Sequence, residues 1–197
     1  MDQVSKNFFI LLLLNIALGC SNEPFVVADD EPRAILIDGS GTYSRKISTT
    51  VERSQTFFDQ GLRFAWGFYF PESIASYQEA ARLDPMHPMP HWGMAHAMGP
   101  NPNSRYARMP DDPKGEGLKA IKRALERIEN ANPMEKKLIQ AMHIFYDKDA
   151  ISDPNLRDRA YLDEMRRLND AFPNDPDIAA LYAGSYMSIR RWDYWDS

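Results

Sequence analysis

Apolar residues recur at three- and four-residue intervals along most of the chain, and polar, proline-containing stretches separate one run from the next. That spacing predicts helices, because residues three and four apart share a helix face. The first begins at Thr49-Thr-Val-Glu52, which has the capping-box pattern, and carries the stripe Phe57, Gly61 and Phe64. Pro71 opens the second, since proline is tolerated where its missing N–H would be unpaired. Its stripe is Ser73, Tyr77 and Ala80, and Asp84-Pro85 ends it. Pro88 and Pro90 fall in the first turn of a third helix, which Gly99-Pro100 stops. Ser104 to Lys114 is expected as an inserted loop. Helical period returns at Leu118 to Ile128, with Ile121, Ala124 and Leu125 between. Asn132-Pro-Met-Glu135 is a second capped start, and it precedes the stripe Leu138, Ala141, Met142 and Phe145. After the charged loop Asp147 to Asp153, Ala160, Tyr161, Met165, Leu168 and Phe172 form a helix closed by Pro173. Asp175-Pro176 opens the last, with Ile178, Leu181, Tyr182 and Ser185 inward. The expectation is therefore an all-α chain of seven helices, three pairs and one unpaired.

The pair from Ser54 to Pro85 has a finer register. Counting Ser54 as the first place, Gly61 is eighth, Phe64 eleventh, Ser73 twentieth, Tyr77 twenty-fourth, Ala80 twenty-seventh and Pro85 thirty-second. That small-large-small spacing resembles the tetratricopeptide repeat, a helix–turn–helix unit of roughly 34 residues. One such hairpin cannot bury both faces, so at least about three stack together. The resemblance implies a tetratricopeptide-like α-solenoid of stacked antiparallel helix pairs over residues 49–197. The last helix has a buried-type stripe and no helix following it, so an apolar end is expected.

The 197 residues are 44% hydrophobic, enough for a packed core. A net charge of −5 argues against nucleic acid as a partner. The single cysteine excludes a disulfide framework within the chain, and its position carries more weight than its number. Phe8 to Leu18 is apolar apart from Asn15, too short to span a membrane but suited to a secretory signal. Ala17-Leu18-Gly19-Cys20 resembles a bacterial lipobox, in which cleavage leaves the cysteine first and lipidated. Leucine usually stands where Ala17 is. The expected organisation is a lipoprotein-type signal peptide over 1–19, a tether and N-terminal arm over 20–48, and the solenoid beyond. Within the arm, Ala34 to Ile37 is β-prone and ends in Asp38-Gly-Ser-Gly41, a surface turn rather than a phosphate loop, since no helix follows directly.

The stretches FFDQGLRFAWGF, ARLDP, HWGMAHAMGPNPN, AYLDEMRRLNDAFPNDPDIAALYA and RRWDYW together resemble a family of bacterial, exported tetratricopeptide proteins. The resemblance covers about Gly41 to Trp195, and its more specific marks are the GPN-x-N and FP-x-DPD turns. It implies fold and export rather than an activity. Members usually carry Asn-His after the first helix and a cysteine in the turn after Asp-Pro. Here those places hold Tyr69-Phe70 and His87, so no role of those side chains carries over. Members are also longer, and this chain looks like the front part of one.

His-Glu-x-x-His, Gly-x-Ser-x-Gly, a phosphate loop and Cys-x-x-Cys-His are all missing from the sequence, so no enzyme activity and no cofactor are expected. The methionines and histidines of Met86 to Met98 suit copper in type. Their spacing does not make a local site, because His91 and His96 are five apart on different faces. In the repeats this chain resembles, the first helix of each pair lines a concave groove with its second, fifth, ninth and twelfth places. Here those are Phe58 and Leu62, Trp92 and His96, Ile139, His143 and Tyr146, then Ala183 and Tyr186. The expected ligand- or partner-binding set is Phe58, Trp92, His96, His143 and Tyr146, with Asn101 and Asn103 in the loop that follows. His96 and His143 occupy equivalent places, so they are expected to converge. The resulting expectation is a lipid-anchored extracytoplasmic scaffold on the periplasmic or outer face of the envelope. Its groove holds an envelope protein or peptide, and Cys20 joins it to the membrane. The rival expectations are a glycan-like small ligand on the groove aromatics, or a metal or haem held by the groove histidines.

Overall fold

The computed structural model describes residues 31–100 and 110–190. The expected signal peptide, Cys20, the start of the tether, Asn101 and Asn103 lie outside the described residues. Among the described residues seven α-helices form, in the order α1 (Glu52–Trp66), α2 (Phe70–Leu83), α3 (Met89–Met98), α4 (Pro113–Glu126), α5 (Pro133–Tyr146), α6 (Pro154–Ala171) and α7 (Pro176–Arg190). Among the described residues there is no strand, and no helix is long and apolar enough to cross a membrane. Each helix packs on the next, and α3 also touches α1 and α5. The result is all-helical and solenoid-like.

Most boundaries fall where proline and side-chain caps set them. Asn132 accepts from the Met134 and Glu135 N–H groups while Glu135 reaches back to the Asn132 N–H, a complete capping box on α5. Asp153 caps α6 in the same one-sided way as Asp112 caps α4. The start of α4 corrects the sequence reading. Residues 113 and 114, expected in a loop, are helical because Asp112 accepts the Gly115 N–H and Pro113 is preset for the first turn. The capping box expected at Thr49 is also absent. Thr49 Oγ1 donates to Asp84 at 2.6 Å, and α1 starts at Glu52 without a side-chain cap.

The core is built around close approaches. A Cβ on Gly61 would lie 2.8 Å from the Tyr77 ring, and one on Gly93 2.5 Å from the same ring, so Tyr77 of α2 wedges between α1 and α3 only because both are glycine. Ser54 and Ser73 donate to the Ala80 and Gly61 carbonyls, which pins α1 to α2 from both sides. α3 has no acidic residue and no lysine or arginine, and all ten of its residues are buried. That enclosure decides what the neighbouring faces can do.

Candidate functional site

The expected groove is closed where α1 and α3 meet. Phe58, Leu62, Trp92 and His96 are buried, with the His96 ring stacked on Trp92 at 5.3 Å between centroids and edge-on to Trp66 at 5.5 Å. Burial pushes the His96 imidazole down to about 4. Tyr146 turns inward as well, fitting against Gly99 and Gly117 and donating its hydroxyl to the Ala95 carbonyl at 2.7 Å. His143 is half-buried, 3.9 Å from Asp147. The two histidines are therefore not brought together on an accessible patch, and Phe58, Trp92, His96 and Tyr146 work as core. The physical reason is that α3 is short and apolar all round, so neighbours surround it instead of leaving one side open. At α7, the last described helix, the corresponding residues Ala183 and Tyr186 also reach solvent.

The structure builds a different site, one that the sequence did not announce. Residues 32–50 lie extended against the helices, with Asp38–Ser40 forming a turn that Gly39 and Gly41 permit by their positive φ. From residue 43 to 47 the arm runs antiparallel to α1. Arg63 donates to the Tyr43 carbonyl, Asp59 accepts the Arg45 N–H, and Gln55 accepts the Ile47 N–H. These helix residues are four apart, a rise of about 6 Å. The arm residues are two apart, about 6.7 Å in an extended chain. The two repeats nearly match, so one face of α1 can address every second residue of an extended strand.

Two glutamines complete the match. The Gln55 amide accepts from Ile47 N–H at 3.0 Å and donates to the Arg45 carbonyl at 2.9 Å. Gln60 likewise accepts from Ile37 N–H at 2.8 Å and donates to the Ile35 carbonyl at 2.9 Å. Each side-chain amide brackets the C=O of one residue and the N–H of the residue two further on, as a single residue of a neighbouring strand does in a parallel ladder. The backbone satisfaction that a sheet would supply comes here from a helix.

Side-chain seats alternate accordingly. Arg45, Ile47 and Thr49 are buried, while Ser44, Lys46 and Ser48 are exposed, although the Ser44 and Ser48 hydroxyls reach back to Asp59 and Glu135. Arg45 crosses to the start of α7, donating to Asp175 at 2.8 Å and Asp177 at 2.7 Å, and Tyr43 donates to Asp177 at 2.9 Å. Burial and the Asp177 hydrogen bond push the Tyr43 phenol up to about 12. Burial alone would raise Asp175 and lower Arg45; their pairing reverses both, holding the carboxyl low and the guanidinium high. For Asp59, burial wins over the hydrogen bonds from Ser44, Arg45 and Gln55, and its carboxyl is raised. Ile47 is 1% exposed and belongs to the main core.

Ser48 forms a serine–histidine–carboxylate set that invites a catalytic reading. Its hydroxyl lies 3.0 Å from His87 Nε2 and donates to Glu135 Oε2 at 2.5 Å. The proton order differs from that of a serine activated by histidine. His87 Nδ1 accepts the Met89 N–H, so in the neutral ring the proton sits on Nε2 and is donated toward Ser48, whose own proton goes to Glu135. A histidine that donates to the serine cannot take its proton. Glu135 also accepts the Ser48 N–H at 2.7 Å, so the set anchors the arm to α5.

The arm thus touches α1, the α2–α3 turn, α5 and α7 along one track. Comparison of the chain with protein-family models, with characterised proteins and with solved structures finds no match. The site is accordingly judged on its geometry. It does three things at once: it reads extended backbone through Gln55 and Gln60, seats a guanidinium between Asp175 and Asp177, and seats an aliphatic side chain two residues on. Sequence reasoning missed it because Gln55, Asp59 and Arg63 look like the solvated face of α1. The available signal was their four-residue spacing, with Gln60 opposite the β-prone run of Ala34 to Ile37.

Proposed function

We infer that this protein is a lipid-anchored, extracytoplasmic scaffold of tetratricopeptide-like hairpins that holds an extended peptide segment of an envelope protein. The lipobox-like Ala17 to Cys20 and the repeat register of Ser54 to Pro85 support the anchor and the repeat type. The observation that carries the peptide reading is the paired use of Gln55 and Gln60, which bracket extended backbone without reference to side-chain identity. Recognition of this kind suits protein segments, since main-chain hydrogen bonds give affinity and alternate pockets give specificity.

The test is selection of displayed ten-residue peptides on the Arg45→Ala chain, whose own arm is loosened. Enrichment of peptides with a basic residue two before an aliphatic one is the expected result. Selection without enrichment, together with binding of glycans by the same protein, would transfer the function to the small-ligand class.

A further inference from the structure

We propose that the arm is a resident occupant of the peptide track, and that a basic extended segment of another protein displaces it. The inference rests on the peptide-binding reading above and adds its regulation and the chemistry of its partner. The arm makes the contacts a bound peptide would make. Its residues 43 to 49 hold no internal hydrogen-bonded structure of their own; the Arg45, Ile47 and Ser48 N–H groups all go to helix side chains. An extended segment satisfied this way can leave without breaking any helix, and another segment with the same backbone can take its place.

The charge of the track names the incoming partner. Asp59, Asp84, Glu135, Asp175 and Asp177 face the arm, which offers Arg45 to the last two and hydroxyls or N–H groups to the others. An acidic segment would bring like charge against partly buried carboxylates. A segment with arginine, then an aliphatic β-branched residue two on, then serine or threonine two further, repeats what Arg45, Ile47 and Thr49 do.

Competition within one chain has a size. A tethered segment acts at millimolar effective concentration, on the order of 100-fold above a dissociation constant of ~10 μM. The competent fraction falls by the same factor, so an outside peptide binds the intact chain about 100-fold more weakly than a chain whose arm is loosened.

The experiment titrates a labelled synthetic peptide of residues 42–51 into three full-length chains: wild type, Arg45→Ala and Ile47→Ala. Ile47→Ala empties the aliphatic seat while leaving every carboxylate paired, so it stays informative if Arg45→Ala folds poorly. Hydrogen exchange of the Arg45, Ile47 and Ser48 amides is followed in the wild type as peptide is added. The expected result is much tighter binding to both variants, with faster exchange of the wild-type arm amides at high peptide. Equal affinity for all three chains and unchanged arm exchange would overturn the displacement while leaving peptide binding standing. No binding to any chain would overturn both. A wild-type dimer with exchanged arms would make the occupant a second copy and overturn the outside partner.

Discussion

Tyr77 shows how much a single atom decides at the residue scale. With the ring lodged against Gly61 and Gly93, Gly93→Ala is expected to destabilise the protein by about 1–3 kcal/mol, the usual cost of overpacking. Gly184 in α7 is the control: no described atom lies within 4 Å of its absent Cβ, so Gly184→Ala is expected to stabilise by about 0.5–1 kcal/mol through helix propensity. Denaturant midpoints of the two variants check the opposite signs. The buried histidines give a second prediction. Burial lowers His96 from 6.5 to about 4, and burial together with Arg127 and Arg123 lowers His91 equally far. The folded state therefore refuses protons the unfolded state takes up. Stability is full above about pH 6.5 and is lost as pH falls toward 4, by about 3 kcal/mol for each ring. Urea titrations across that range are expected to show the fall, and His96→Gln to flatten it. The identities of these residues were plain in the sequence, but their exposure was not. His96 and Trp92 sit at groove places in the expected repeat register, and only the absence of charged residues around α3 reveals that neighbours close over them.

At the scale of elements, the helices were legible and the arm was not. Helices announce themselves through local period and caps: Asn132 and Glu135, Asp175-Pro176 and the stripes of α2 and α6 all sit where expected. Where local signal was weak the boundary slipped, as at Pro113, because Gly115 and Gly117 dilute the helical pattern of the first turn of α4. The arm is held by contacts up to 134 residues away in sequence, which no local period encodes. Its polar partners also mimic a solvated helix face. The same contacts predict its energetics. Removing Arg45 leaves the buried Asp177 without that partner, so Arg45→Ala is expected to cost about 3–5 kcal/mol, as breaking one side of a buried ion pair does. Replacing Arg45 and Asp177 together, by Gln and Asn, is expected to recover much of that loss, and a double-mutant cycle measures the coupling.

For the molecule as a whole, the proposal joins an anchor, a stack of helices and a track that runs across it. The anchor has its own check: Cys20→Ser is expected to move the expressed protein out of the detergent phase into the aqueous one, whereas a wild-type protein that is aqueous from the start would remove the lipid. The stack explains why the track exists. Because α1, α5 and α7 each present acidic or amide side chains to the arm, one extended segment ties together helices that are not adjacent in sequence. The measurement that tests this most directly is the pair of side-chain amide resonances of Gln55 and Gln60 in the full-length protein, followed while a selected peptide is added. If extended peptides bind on the track, the Gln55 amide signals shift with the same dissociation constant as the binding isotherm, and Gln55→Ala removes both. If the peptide binds while both glutamine amides stay where they were, the track is only a structural strap and the peptide-binding site lies elsewhere.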